Sequence, residues 1–148
     1  MTAPPSASAT AAIDGGSRGN PGEAGCGVVL ELGDGRREEH TLYLGVTTNN
    51  VAEYAGLIAA LERALELGVR SLEVRSDSEL LVRQLRGVYR VRAPHLIPLW
   101  RYASALARRF ERFHIDHVRR ERNTDADRLA NAAIDSRAST LPRPGVMP

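Results

Sequence analysis

The stretch VAEYAGLIAALERALEL, residues 51 to 67, divides this chain into two halves that follow different patterns. Tyr54, Leu57, Ile58, Leu61 and Leu65 recur at helical spacing and Gly68 follows as a stop, so the run predicts an amphipathic helix over Val51–Leu67. Before it the pattern is strand-like. A short strand at Thr10–Asp14 enters a Gly-rich turn, a second strand covers Gly27–Leu32, and "GDG" at 33–35 turns it into a third at about Arg36–Gly45. After it strands and helices alternate: strand Ser71–Arg75, helix Ser78–Arg86, helix His95–Arg112 with Pro98 near its start, strand Phe113–Val118 and helix Asp125–Asp135. A three-stranded antiparallel meander followed by βα units predicts an α/β fold, a mixed sheet with helices on its faces.

The 148 residues suit one domain. It is expected at 9–136, between Pro/Ser/Ala-rich stretches at 1–8 and 137–148 that read as flexible tails. No run nears the roughly 18 apolar residues of a membrane span. The opening MTAPPSASAT has neither the basic region nor the apolar core of a secretory signal. A lone cysteine, Cys26, leaves no internal disulfide and no cysteine-based zinc site. The expectation is a cytoplasmic protein without a membrane association or an obligate protein partner. All twenty basic residues are arginine, so a Walker A loop, which needs lysine, is excluded. Residues 82–122 hold eleven of these arginines against Glu111, Asp116 and Glu121, a net charge of about +8. Such a segment can follow a phosphate backbone, or it can be a solvated helix face.

Four acids fall at element ends. Asp14 closes the first strand in "IDGGSRGNPG", Glu53 lies in the first turn of the helix in "TTNNVAEY", Asp77 follows the fourth strand in "VRSDSELL", and Asp127 opens the last helix in "NTDADRLANAAID". Each has a capping or turn explanation: Asn50 with Glu53, Ser76 before Asp77, Thr124 with Asp127, and Asp14 before glycines. Crossover connections, however, bring strand C-termini and helix N-termini to one sheet edge, where ligands of α/β proteins bind. Four carboxylates gathered there repel one another unless cations neutralise them. Hard oxygen ligands without a His or Cys cluster suit Mg²⁺ or Mn²⁺, and a metal pair serves phosphoryl transfer. Gly15, Gly16 and Gly19 permit close approach of a sugar-phosphate, and Thr48, Asn49 and Asn50 offer neutral hydrogen bonds beside Glu53.

The blocks "DGGSRGNPG", "TTNNVAEY", "SDSELLVRQLRG" and "NTDADRLANAAID", in this order and spacing, resemble the type 1 ribonuclease H family over about residues 11–136. The resemblance implies the ribonuclease H-like fold, a five-stranded mixed sheet flanked by helices. It implies endonucleolytic cleavage of the RNA strand of RNA/DNA hybrids, with 5′-phosphate and 3′-hydroxyl ends, by two Mg²⁺ ions for which Mn²⁺ can substitute. Carried over, Asp14 bridges both metals, Asp127 joins it on the water-activating one, and Glu53 and Asp77 hold the metal facing the leaving oxygen. The substrate-binding residues implied are Gly15, Gly16, Ser17, Gly19 and Asn20 on the RNA side and Thr48, Asn49 and Asn50 near the DNA. Glu53 also becomes an acceptor for the 2′-hydroxyl that tells RNA from DNA.

Two departures stand out. Many bacterial members carry a Gly-His loop before the last helix, whereas "VRRERNTDAD" has no histidine and places Glu121 or an arginine there. His117 reads as a strand residue. The basic helical handle is also missing, since "RGVYRVRAPHLIPLW" runs almost directly into the next helix. The chain resembles the short, handle-less branch, and substrate grip falls to the arginines of 83–122 and the polar loops. Among other readings, a DNA-cutting resolvase or integrase core has no need of the "NPG" and "TTNN" blocks. An inactive hybrid-binding module usually lacks an acid, and an actin-like ATPase needs a second lobe.

Overall fold

In a computed structural model describing residues 7–148, the sheet has five strands in the order β3-β2-β1-β4-β5. These are β1 (Ser8–Arg18), β2 (Gly22–Leu32), β3 (Arg37–Thr47), β4 (Ser71–Ser76) and β5 (Arg112–His117). β1–β2 and β2–β3 pair antiparallel, while β1–β4 and β4–β5 pair parallel. Four helices complete it: α1 (Asn49–Glu66), α2 (Glu79–Leu85), α3 (Ile97–Ala107) and α4 (Thr124–Ser136). The mixed α/β sheet is the one the pattern predicts. No helix among the described residues is long and apolar enough to cross a membrane.

The first two strands are longer than their periodicity suggests. β1 does not stop at Asp14 but runs through Gly15, Gly16 and Ser17 to Arg18, and β2 begins at Gly22 rather than Gly27. The glycines read as a turn are strand residues onto which helices pack directly. A Cβ on Gly15 would lie 2.3 Å from the Ala52 carbonyl of α1, and one on Gly27 would lie 2.4 Å from the Ala126 carbonyl of α4. Adjacent strand residues face opposite sides, so α1 and α4 cover opposite faces of the sheet. Ile13, Leu30, Leu57, Ile58, Leu61, Leu72 and Val74 are fully buried in the core so formed.

The helix starts also differ in detail. Thr48, not Asn50, caps α1, its hydroxyl accepting from the Val51 N–H at 3.3 Å. Ser78, not Ser76, caps α2. α4 starts after Asn123 with no side-chain cap, so Thr124 is a helix residue and not its cap. The second long helix is shorter than His95–Arg112 and spans only Ile97–Ala107.

Residues 1–6 of the expected N-terminal tail lie outside the described residues. Ala7 is buried and its carbonyl accepts from Arg70 N–H, while Ser8 already belongs to β1. The C-terminal stretch, read as flexible, is a strap along β3. Thr140 N–H donates to the Thr41 carbonyl, Tyr43 N–H to Ser139 Oγ, and Arg143 to the Leu44 carbonyl. Leu141 and Met147 are each 9% exposed within the core cluster. The strap thereby covers the backbone of an edge strand, which otherwise presents unpaired N–H and C=O groups.

Candidate active site

Each of the four acids arrives on a different element. Asp14 is on β1, paired in register with Gly27, and only 8% exposed. Glu53 projects from the second turn of α1, which sits on the bare backbone of Gly15. Asp77 follows β4, and Asp127 comes from the first turn of α4, seated on Gly25 and Gly27. A side chain at Gly15 or Gly27 would force a helix, and the acid it carries, off the sheet.

Asp14, Glu53 and Asp77 each offer a carboxylate oxygen within 4.8 Å of the other two. Asp127 lines the same cleft, and its charge acts on Asp14. Burial first, then the charge of Asp77, then the closeness and charge of Asp127 push the Asp14 carboxyl up to about 8. Glu53 is likewise raised, by burial and by Asp14 and Asp77, with Arg120 opposing. Glu53 Oε2 is buried with no hydrogen-bond partner among the described residues. An orphaned carboxylate oxygen among repelling acids fits a divalent cation: the donor set is hard oxygen and the electrostatics call for positive charge.

The acids line a cleft of about 390 Å³. Gly16 and Ser17 border it, and Gly15 contributes backbone while turning its side to α1. Asn49 ties two of the predicted substrate blocks together: its Oδ1 accepts from Ser17 N–H at 2.8 Å and Ser17 Oγ at 3.0 Å, and its own N–H donates to Asn20 Oδ1 at 3.1 Å. Gly19, at φ +98°, makes the turn that brings Asn20 to this contact. Thr48 has its hydroxyl engaged as the α1 cap, and Asn50 is exposed beside it.

Two residues of the site, Arg18 and Asn123, were not foreseen, and of Glu121 or an arginine in the loop it is Arg120 that enters the cleft lining. Arg120 and Arg18 line the cleft, and Arg120, in the 3-10 turn Arg120–Arg122, is the loop residue that faces the acids; Glu121 is exposed outside it. Asn123 lies beneath, 2% exposed, its Nδ2 donating to the Ile13 carbonyl at 2.9 Å. That bond ties the start of α4 to the residue before Asp14. The sequence signal for Asn123 was its place one helical turn before Asp127; for Arg18 it was strand alternation from Asp14. His117 is an exposed residue at the end of β5.

The arginine-rich segment is not one patch. Arg83 pairs with Glu79 and Arg86 with Asp116. The other nine have no carboxylate partner among the described residues. Parallel pairing of Ser71 with Arg112 and of Ser76 with His117 puts Arg108, Arg109 and Arg112 at the end of the sheet away from the acids. Arg119, Arg120 and Arg122 are at the acid edge.

Comparison with known proteins settles the family. The family described as "Reverse transcriptase-like" matches residues 12–133. A ribonuclease H of Alkalilimnicola ehrlichii is 37% identical over 139 residues, spanning 82% of this chain and 91% of that one. The chain belongs to the ribonuclease H family. Its ribonuclease H fold is also that of the N-terminal RNase H domain of Rv2228c from Mycobacterium tuberculosis, with a TM-score of 0.83 and 47% identity over 86% of this chain and 99% of that domain. The bifunctional protein Rv2228c itself is 48% identical over 86% of this chain, which spans only 35% of that relative's length. LC11-RNase H1, solved in complex with an RNA/DNA hybrid, matches with a TM-score of 0.81 and 42% identity over 87% of this chain and 98% of that one.

Proposed function

We propose that this ribonuclease H-family chain is an endonuclease that hydrolyses the RNA strand of RNA/DNA hybrids, leaving 5′-phosphate and 3′-hydroxyl ends. The observation that carries the reading is the convergence of Asp14, Glu53 and Asp77 within 4.8 Å, with Asp127 lining the same open cleft. Asp14, Glu53, Asp77 and Asp127 would hold a pair of divalent cations, Mg²⁺ or Mn²⁺. When bound, these supply Lewis-acid stabilisation of the attacking and leaving oxygens.

The chain's own residues do the rest. Burial and the neighbouring carboxylates favour the protonated form of Asp14 in the metal-free site, and a cation held there would favour the carboxylate. Gly16 leaves the cleft floor bare, so a sugar-phosphate can approach the backbone. Asn49 fixes Ser17 and Asn20 against the start of α1, setting the rim before substrate arrives. Glu53 Oε2, buried and lacking a donor, would be satisfied by a cation, and the Glu53 carboxylate is the acceptor assigned to the 2′-hydroxyl of the strand to be cut.

The test is incubation with labelled RNA/DNA, RNA/RNA and DNA/DNA duplexes, with Mg²⁺, with Mn²⁺ and with EDTA. Cleavage restricted to the RNA strand of the hybrid, abolished by EDTA and restored by either metal, is expected. Cleavage that persists in EDTA would refute the metal reading, and efficient cutting of the all-DNA duplex would assign the site to DNA.

A further inference from the structure

Arg18 has no part in the assignments above, yet its surroundings are built. It ends β1 four residues past Asp14, and alternation places Asp14, Gly16 and Arg18 on the face turned to α4. Between the acid and the arginine the floor is empty, since a Cβ on Gly16 would meet only Asn49 Oδ1, at 3.8 Å. The guanidinium is gripped from behind by a later part of α4. Its Nη1 donates to Asp135 Oδ1 at 2.6 Å, and its Nη2 to Asn131 Oδ1 at 3.3 Å and to the Asn131 carbonyl at 3.5 Å. Asn131 in turn donates to the Asp127 carbonyl at 3.0 Å, which ties the arginine's mount to the helix of the fourth acid.

An exposed ion pair of this kind contributes little to stability. What it does is orient. Arginine has five N–H donors in a rigid fork, and a fork already held in place loses less freedom when it meets an anion. Nε and the second Nη1 hydrogen have no partner among the described residues, and Arg18 lines the cleft, where four carboxylates otherwise repel a polyanion. At the rise of an extended strand, Arg18 stands roughly 13 Å from Asp14 along β1. The phosphate it meets is therefore a neighbour of the scissile one and not the scissile phosphate itself.

We infer that Arg18, preset by Asp135 and Asn131, is a phosphate-binding residue of the cleft that takes a phosphodiester flanking the cleavage point on the strand being cut. The inference rests on the nuclease reading. Arginine suits the task because its fork can engage two phosphate oxygens at once, and lysine cannot reproduce that. Asp135 and Asn131 are positioning residues that act through Arg18.

The experiment is steady-state cleavage of a labelled RNA/DNA hybrid at several KCl concentrations, with melting temperatures measured alongside. Arg18→Ala should raise KM about tenfold, leave kcat within about threefold, and make the salt dependence of log KM shallower by about 0.7–0.9, one phosphate contact. Arg18→Lys should restore the salt slope but not the full KM, because the charge returns without the fork. Asp135→Asn should raise KM a few-fold with the slope unchanged. Arg36→Ala, at the β2–β3 turn where Arg36 pairs with Asp34, is the control and should match wild type. If wild type cleaves and Arg18→Ala keeps its KM and slope, the phosphate assignment is wrong. A lower melting temperature with an unaltered slope likewise overturns it, by making Arg18 a structural tie. Wild type that cleaves no hybrid defeats the nuclease reading instead.

Discussion

Arg37 reaches from β3 to the Asp125 carboxylate at 2.9 Å. That contact holds one acid of α4 outside the cleft, while Asp127, two residues on, lines the cleft with Asp14. The two acids share a helix turn and differ only in what they face. Asp125→Asn should therefore leave kcat within a few-fold and cost at most about 1 kcal/mol, as expected for an exposed pair. Asp127→Asn should lower kcat more than about a hundredfold, since even an outer partner of a metal ligand costs up to that much. Cleavage rates of the two variants side by side check this; equal behaviour would remove Asp127 from the ligand set.

The metal-free protein should become less stable as pH rises. With its carboxyl raised to about 8, Asp14 keeps its proton in the fold across a range in which the unfolded chain, at the ordinary 3.8, has lost it. Below 3.8 the two states bind alike; between 3.8 and about 8 the unfolded state binds fewer protons, so stability falls; above 8 the loss is complete. Glu53, raised for the same reasons, acts with the same sign. Asp14→Asn should flatten this dependence and raise the metal-free melting temperature. Because cations displace that proton, the Mg²⁺ concentration giving half-maximal thermal stabilisation should fall as pH climbs toward 8 and then level off. Melting curves in EDTA and across a Mg²⁺ titration measure both.

Gly27→Ala should damage catalysis beyond its effect on stability. The new Cβ would stand 2.4 Å from the Ala126 carbonyl and 2.6 Å from Leu129 Cβ, so α4 must shift and carry Asp127 with it. Overpacking of this kind costs about 1–3 kcal/mol. Gly35→Ala has open space around it but a φ of +94°, and costs about 1–2 kcal/mol through backbone strain alone. Similar losses in melting temperature are expected, with kcat reduced only for Gly27→Ala.

Leu141→Ala tests the C-terminal strap. Leu141 is 9% exposed and packs into the core cluster, so its truncation should cost about 2 kcal/mol, the low end for a buried leucine. The strap lies along β3, at the sheet edge, and kcat at 25 °C should be unchanged. Denaturant unfolding of the variant measures the loss; no change in stability would show that the strap does not hold.

Sequence pattern alone was enough for the order of elements and the α1 amphipathic face, and it singled out four acids that share one cleft, the choice of Asp127 over Asp125 coming from the family resemblance. Those features are local: period two or 3.6 is written in side chains that must be buried, and the acids stand in short distinctive blocks, although Asp14 proved to lie inside β1 and Glu53 in the second turn of α1. The extent of β1 and β2 could not be read the same way, because Gly15, Gly16, Gly25 and Gly27 have no side chain to show a period, and only the helices packed on them make them strand. The same limit hid the strap, whose Leu141 and Met147 are isolated apolar residues without periodicity. The single run of eleven arginines became separate groups once parallel pairing set β5 beside β4, and two of its members proved to be paired already. Arg18 and Asp135 lie 117 residues apart, and nothing in either neighbourhood announces the other. Their meeting depends on α4 settling onto the bare glycines of β2, a close approach that the chain can make only when folded.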